Sequence, residues 1–133
     1  MRRATFRIDG VPPSLNTWRG GDWRRQHGLR AAARRAVRAA VILARAMGTW
    51  DGQPFLRARV TWVYHFTART HRTDPTNRVP KWFEDALVAA GVLTDDDFAH
   101  VELVLRRGAD APAAWTEVVV EEVEADAENG AAR

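Results

Sequence analysis

Apolar and polar residues alternate at the start of the chain, where Phe6 and Ile8 fall on one side of residues 3–9 and Arg7 stands between them. A period of two marks a strand with one buried face. Gly10 and the Pro12–Pro13 pair end this strand and open a loop running to about Asp22. From Trp23 to Met47 the period lengthens. Leu29, Ala33, Val37, Ala40, Ala44 and Met47 recur three and four apart, which predicts an amphipathic helix closed by Gly48. Residues 55–67 are rich in β-branched and aromatic side chains and predict a long strand. Trp62, Tyr64 and Phe66 share one of its faces and could cover a helix; Val63 and His65 share the other. A polar, basic connection follows and holds the Asp74–Pro75 turn signal. A second helix is expected next, capped by Asn77, with Pro80 in its first turn and Gly91 at its end. Its stripe is Val79, Trp82, Phe83, Ala86, Leu87 and Ala90. After a Thr94–Asp97 loop come two strands, about 98–106 and 115–124, joined by Gly108–Ala114.

The order β-α-β-α-β-β predicts an α/β fold of the α+β kind, a small mixed sheet of about four strands carrying two main helices. With 133 residues, no repeat and no linker, the chain reads as one domain over 1–124, followed by an acidic, flexible tail at 125–133.

Composition then narrows the chemistry. There is no cysteine, which excludes disulfides, thiolate metal sites and cysteine nucleophiles. The four histidines (His27, His65, His71, His100) have no metal-ligand spacing. No apolar run reaches membrane-spanning length and no secretory h-region follows the N-terminal arginines, so a cytoplasmic protein without membrane association is expected. The net charge of +3 is unevenly spread: eleven arginines face two aspartates in residues 1–50, and eight acids face three arginines in residues 101–133. That polarity suggests an anionic partner for the N-terminal half, nucleic acid being the commonest. Arg30, Arg34 and Arg38 form an i, i+4 ladder whose repulsion an anion would relieve, although a solvated helix face is the plain alternative.

The richest stretch runs from Asp74 to Asp97. Lys81 and Asp85, four apart, lie on one side of the second helix, turned away from its apolar stripe. The acidic run Asp95, Asp96 and Asp97 is expected to begin a strand that returns beside the one ending near Asp74. Carboxylates brought together this way suit a hard divalent cation, which keeps several waters and takes the rest of its shell from substrate phosphate. Lys81 is the only lysine, beside nineteen arginines, and a compact ammonium is not replaced by arginine's planar fork. Taken singly, each feature has a plainer reading: a surface ion pair, a solvated turn or structural cation loop, an Asp-Pro turn.

These residues resemble the signature of the RusA family of Holliday junction resolvases, D-x-D-N-x-x-K-x-x-x-D-x-L followed after a glycine by a D-D pair. Asp74, Asn77, Lys81, Asp85, Leu87, Gly91 and the Asp95–Asp96 pair stand at corresponding places. Pro12-Pro13-Ser14-Leu15-Asn16 is similar to the family's N-terminal P-P-S-x-N segment and is also followed by an arginine-rich helix. In element order the likeness spans roughly residues 4–124. It differs at Thr76, where the family has its second aspartate, at one extra residue between Asn77 and Lys81, and at Asp97, an addition to the acidic pair. The resemblance implies a homodimer that cleaves four-way or other branched DNA with magnesium, or manganese in its place. It assigns Asp74, Lys81 and Asp96 to catalysis. Metal binding falls to Asp74 and Asp96, with Asp95, Asp97 and Asp85 as further acids. Asn16, Arg69, Arg72, Asn77 and Arg78 are the expected DNA-binding residues. Two alternatives stand beside this: a junction- or duplex-binding relative without cleavage, and an unrelated small α/β domain whose arginine helix meets a protein.

Overall fold

The computed structural model describes residues 1–12, 23–68, 80–95 and 100–124. Four strands form one sheet: β1 (Arg3–Asp9), β2 (Ala58–His65), β3 (Val101–Arg107) and β4 (Trp115–Glu122), in the order β1-β4-β2-β3. β4 is antiparallel to both of its neighbours, while β2 and β3 run parallel. Two helices complete the fold, α1 (Trp23–Met47) and α2 (Lys81–Ala89). The α+β class, mixed sheet and element order are those expected from the sequence.

Alternation builds the sheet. Ala4, Phe6 and Ile8 of β1, Ala58, Val60, Trp62 and Tyr64 of β2, and Val118 and Val120 of β4 all point into one core. Phe66 joins them just past β2. From the helices come Ala33, Val37, Ala40, Val41 and Ala44 of α1, and Trp82, Phe83, Ala86 and Leu87 of α2. Trp62 and Phe83 meet with ring centroids 6.1 Å apart, joining β2 to α2. Thr116, buried on the same face, donates its hydroxyl to the Gly10 carbonyl at 2.8 Å, so burial leaves it paired. No helix among the described residues is long and apolar enough to cross a membrane.

Both helices end on a glycine in the left-handed region. At α2, Gly91 (φ 82°) lets Val92 N–H reach the Leu87 carbonyl at 3.0 Å, and Gly91 N–H the Val88 carbonyl at 3.1 Å. Val92 and Leu87 are both fully buried, which completes the hydrophobic closure of a Schellman motif. At α1, Gly48 plays the same part and Thr49 N–H bonds the Ala44 carbonyl at 2.9 Å.

Several expected boundaries shift. The strand expected over 55–67 is regular only from Ala58 to His65; Phe55 instead forms an isolated parallel bridge with Leu93. β3 starts at Val101 rather than near 98, and β4 ends at Glu122 rather than 124. α2 begins at Lys81, with Pro80 in front of it rather than inside its first turn; Pro80 supplies the first carbonyl, bonded by Glu84 N–H at 2.8 Å. The ring of a proline pushes its predecessor out of the helical region, so a helix extends poorly through it in that direction. Asn77 and Val79 lie outside the described residues, as does the expected tail at 125–133. Met47 is 70% exposed, and Val41 takes its place in the buried stripe, because α1's last turn has passed the core. Ala90 is exposed at the C-cap of α2.

The N-terminus is tied to the loop before β2 by one side chain. Arg2 grips both carboxylate oxygens of Asp51 at 2.8 and 2.9 Å, donates to the Gln53 and Pro54 carbonyls, and lies 4.2 Å over the Phe55 ring. The Arg2 guanidinium, aided by the Gln53 N–H, holds the Asp51 carboxyl below its ordinary value.

Two measurements follow from this architecture. In chemical denaturation, Gly91→Ala should destabilise by about 1–2 kcal/mol through left-handed strain alone, since a methyl there meets no atom within 4 Å. Gly28→Ala, in the exposed interior of α1 and equally unobstructed, should stabilise by about 0.5–1 kcal/mol. Equal signs would refute the capping role of Gly91. Because the Asp51 carboxyl is depressed in the fold, its contribution is present above pH 3.8 and fades as pH falls through the lowered value. Thermal melts should therefore show Asp51→Asn less stable than wild type at neutral pH, with the gap closing in acid. A gap independent of pH would remove the ion pair from the stability of this loop.

Candidate active site

α2 carries the first part of the constellation. Its inward residues Trp82, Phe83, Ala86 and Leu87 fix the helix against the core, which turns Lys81 and Asp85 outward. Lys81 Nζ lies 3.2 Å from Asp85 Oδ1, and both side chains are about half exposed. A half-exposed pair with lysine on the N-terminal side is worth at most about 0.3–0.5 kcal/mol, so stability gives little reason for it. Glu84, between them in the chain, is buried.

Asp95 is reached at the other end of α2. The Gly91 turn feeds Val92 and Leu93 alongside Phe55: Phe55 N–H bonds the Val92 carbonyl at 2.8 Å, and Thr94 N–H bonds the Phe55 carbonyl at 3.1 Å. The Thr94 hydroxyl reinforces this seat from 3.3 Å. Asp95 therefore follows a segment pinned beside the approach to β2. The strand expected after the acidic run does return beside the one that precedes Asp74: β3 pairs with β2 in parallel register, Val101 standing opposite Ala58 at the start of β2 and Arg107 opposite Tyr64 near its end. About 12 Å of helix axis separates the first and last residues of α2. The structure thus brings Lys81 and Asp85 together and leaves Asp95 beyond the far end of the helix.

The remaining expected site residues lie outside the described residues: Asp74, Asp96 and Asp97 of the acid set, and Asn16, Arg69, Arg72, Asn77 and Arg78 of the DNA-binding set. Among the described residues, no three histidine, aspartate or glutamate side chains gather as a metal-binding group.

The arginine ladder of α1 is turned toward α2. Arg30 lies 5.7 Å from the Trp82 ring centroid. Arg34 and Arg38 line a groove of about 430 Å³ between the helices, with Val41 and Ile42 on the α1 side and Ala86, Ala89 and Ala90 on the α2 side. α1 holds seven arginines and no acid. Small alanines on α2 leave the guanidinium row accessible from outside.

A feature the sequence reading missed lies on the open face of the sheet. His65 and Trp115, cross-strand partners on β2 and β4, stack with centroids 4.1 Å apart and planes 5° from parallel. Arg7 lies 4.2 Å over the Trp115 ring, and His65 Nδ1 is 2.7 Å from the Ala109 carbonyl. A side chain at Gly108 would collide with the imidazole. Only the register brings these residues together, so no local pattern announces them.

No protein-family model matches the chain, and no curated protein matches it.

Proposed function

We propose that this chain is a magnesium-dependent endodeoxyribonuclease that cuts phosphodiester bonds in branched DNA, four-way junctions above all, acting as a homodimer. The observation that carries the reading is the chain's sole lysine. Lys81 stands on the outward face of α2, held 3.2 Å from Asp85, within a sequence that also supplies Asp74 before it and Asp95–Asp97 after it. The nearby acidic residues offer carboxylate oxygens, with no thiolate in the chain, and that donor chemistry suits magnesium or manganese. In this reading Asp74 and Asp96 hold the metal, with Asp95, Asp97 or Asp85 completing the set. Bound there, the ion would orient a water and offset the charge building on phosphorus.

The chain's own groups do the rest. Asp85 limits the wandering of the Lys81 side chain and keeps its ammonium on the substrate side of α2. That point charge stabilises the oxyanion as charge gathers on phosphate oxygen. Arg69, Arg72 and Arg78 hold the strand's phosphates, and Arg34 and Arg38 extend that positive track along the α1–α2 groove. Two identical active sites related by a two-fold axis match a junction with two symmetric strands to cut.

A second reading has one specific observation in its favour. Thr76 stands where the resembled signature has an aspartate, which removes a carboxylate and leaves a protein that grips junctions without cutting them.

Cleavage of a synthetic four-way junction, with and without magnesium, separates the two. Wild type should cut only with the metal. Asp74→Asn and Asp96→Asn should nearly abolish cutting while leaving the circular dichroism spectrum unchanged. Lys81→Arg, which keeps the charge and alters its shape, should slow cutting by about 10²–10³. Full activity in Asp74→Asn and Lys81→Arg would sink the mechanism, and tight binding without cleavage across several divalent metals would establish the second reading. In binding titrations, replacing Arg34 or Arg38 by alanine should weaken all junction sequences alike and flatten the salt dependence by about one unit for each phosphate left without its arginine. An unchanged slope would remove the groove from the DNA track.

A further inference from the structure

The two edges of the sheet are finished differently. At the β1 edge, Thr5 has both backbone groups answered from outside: its N–H bonds the Thr49 carbonyl at 3.1 Å and its carbonyl accepts the Thr49 hydroxyl at 2.9 Å. At the β3 edge, no strand lies beyond Val101–Arg107 among the described residues. Its sequence, VELVLRR, has no proline or lysine to blunt that edge, and its charges are of both signs: Glu102, Arg106 and Arg107. Leu103 is 46% exposed there, with Val104 and Leu105 partly so.

The direction of β3's backbone groups follows from its ends. Ala58 N–H bonds the His100 carbonyl, and Gly108 N–H bonds the Tyr64 carbonyl, so even-numbered positions turn inward to β2. In a parallel strand the alternate residues then turn both backbone groups outward. These are Val101, Leu103, Leu105 and Arg107.

We propose that β3 pairs antiparallel with β3 of a second copy about a two-fold axis at Val104, joining two four-stranded sheets into one. The sequence around that point is self-complementary. Leu103 falls opposite Leu105 of the other copy, Val101 opposite Arg107, and Glu102 opposite Arg106, while Val104 meets itself. The four outward residues become the hydrogen-bonded pairs, as antiparallel geometry requires, and Glu102–Arg106 becomes a closely spaced non-hydrogen-bonded pair. The leucines of both copies gather on the helix side, covering apolar surface that a single chain leaves open. Moving the axis to Leu103 or Leu105 keeps the backbone phase but sets Glu102 against Val104 or Gly108, so charge selects the register. Such an interface is isologous, each copy using the same patch. The proposal deepens the homodimer of the proposed function and names its surface, without depending on cleavage.

Sedimentation equilibrium on the full chain tests it. Wild type should be a dimer at high micromolar concentration. Glu102→Arg and Arg106→Glu, each alone, should weaken dimerisation about tenfold or more, because the axis turns each change into two like-charge pairs. Mixed in equal amounts, the two variants should recover a dimer, since every such pair is then opposite in sign. Circular dichroism confirms that each variant is folded; if Glu102→Arg does not fold, Arg106→Glu carries the test alone. A monomeric wild type overturns both the surface and the homodimer. A dimer indifferent to both single changes, or variants that fail to recover on mixing, overturns the surface alone. Junction cleavage, measured separately, bears on neither outcome.

Discussion

The parallel pairing of β2 with β3 is the constraint on which the arrangement turns. β2 is one of the two interior strands, with β4 antiparallel on one side and β3 parallel on the other. An antiparallel neighbour can be reached through a short turn, but a parallel one requires the chain to travel back over the sheet before entering it. α2 is that return. It must be apolar on the side facing the sheet, which Trp82, Phe83, Ala86 and Leu87 satisfy, and its opposite side is then free to carry charge. The Gly91 turn and the Phe55–Leu93 bridge seat the far end, so the chain enters β3 already aligned with the start of β2.

The same crossover explains what could be read from residues alone. β1 and α1 are found where expected, Arg3–Asp9 and Trp23–Met47, because each buries one face and ends on a glycine or a loop. The Lys81–Asp85 pair was legible for a similar reason: a spacing of four on a helix is a local fact, and the neighbouring apolar stripe says which way the pair points. Strand pairing is not local. That the strand after the acidic run returns beside β2 could be expected from the order of elements, but nothing in Val101–Arg107 states that it runs parallel to it. The Arg7–Trp115–His65 stack was invisible for the same reason, since its members stand on three strands far apart in sequence.

Local propensity also misled where tertiary packing ended. Met47 keeps the helical spacing of the buried stripe, yet the helix outruns the core and leaves it exposed. Phe55 has the composition of a strand residue and is buried, but it forms a lone bridge with Leu93 rather than a continuation of β2. Pro80 shows the opposite case, in which a covalent restriction, not packing, sets the boundary of α2.

Charge is treated differently on the two sides of the molecule. Across the open face of the sheet the register lines up Arg3, Glu121, Arg59 and Glu102 in one row, so cations and anions alternate. Arg59 and Glu102 are within 3.2 Å in that row. A row of this kind is close to neutral and draws no distant ion. The helix layer differs, because α1 sets seven arginines against no acid of its own and turns three of them toward the α1–α2 side. Fields from like charges on one face add, and a groove with low-dielectric walls concentrates them. An anionic polymer would therefore be drawn to the helix side, the side on which Lys81 is also presented. The β3 edge lies between these two faces. If two copies pair along that edge as proposed, a two-fold axis normal to the sheet would keep both helix layers on one side, so that two positive grooves would face the same partner.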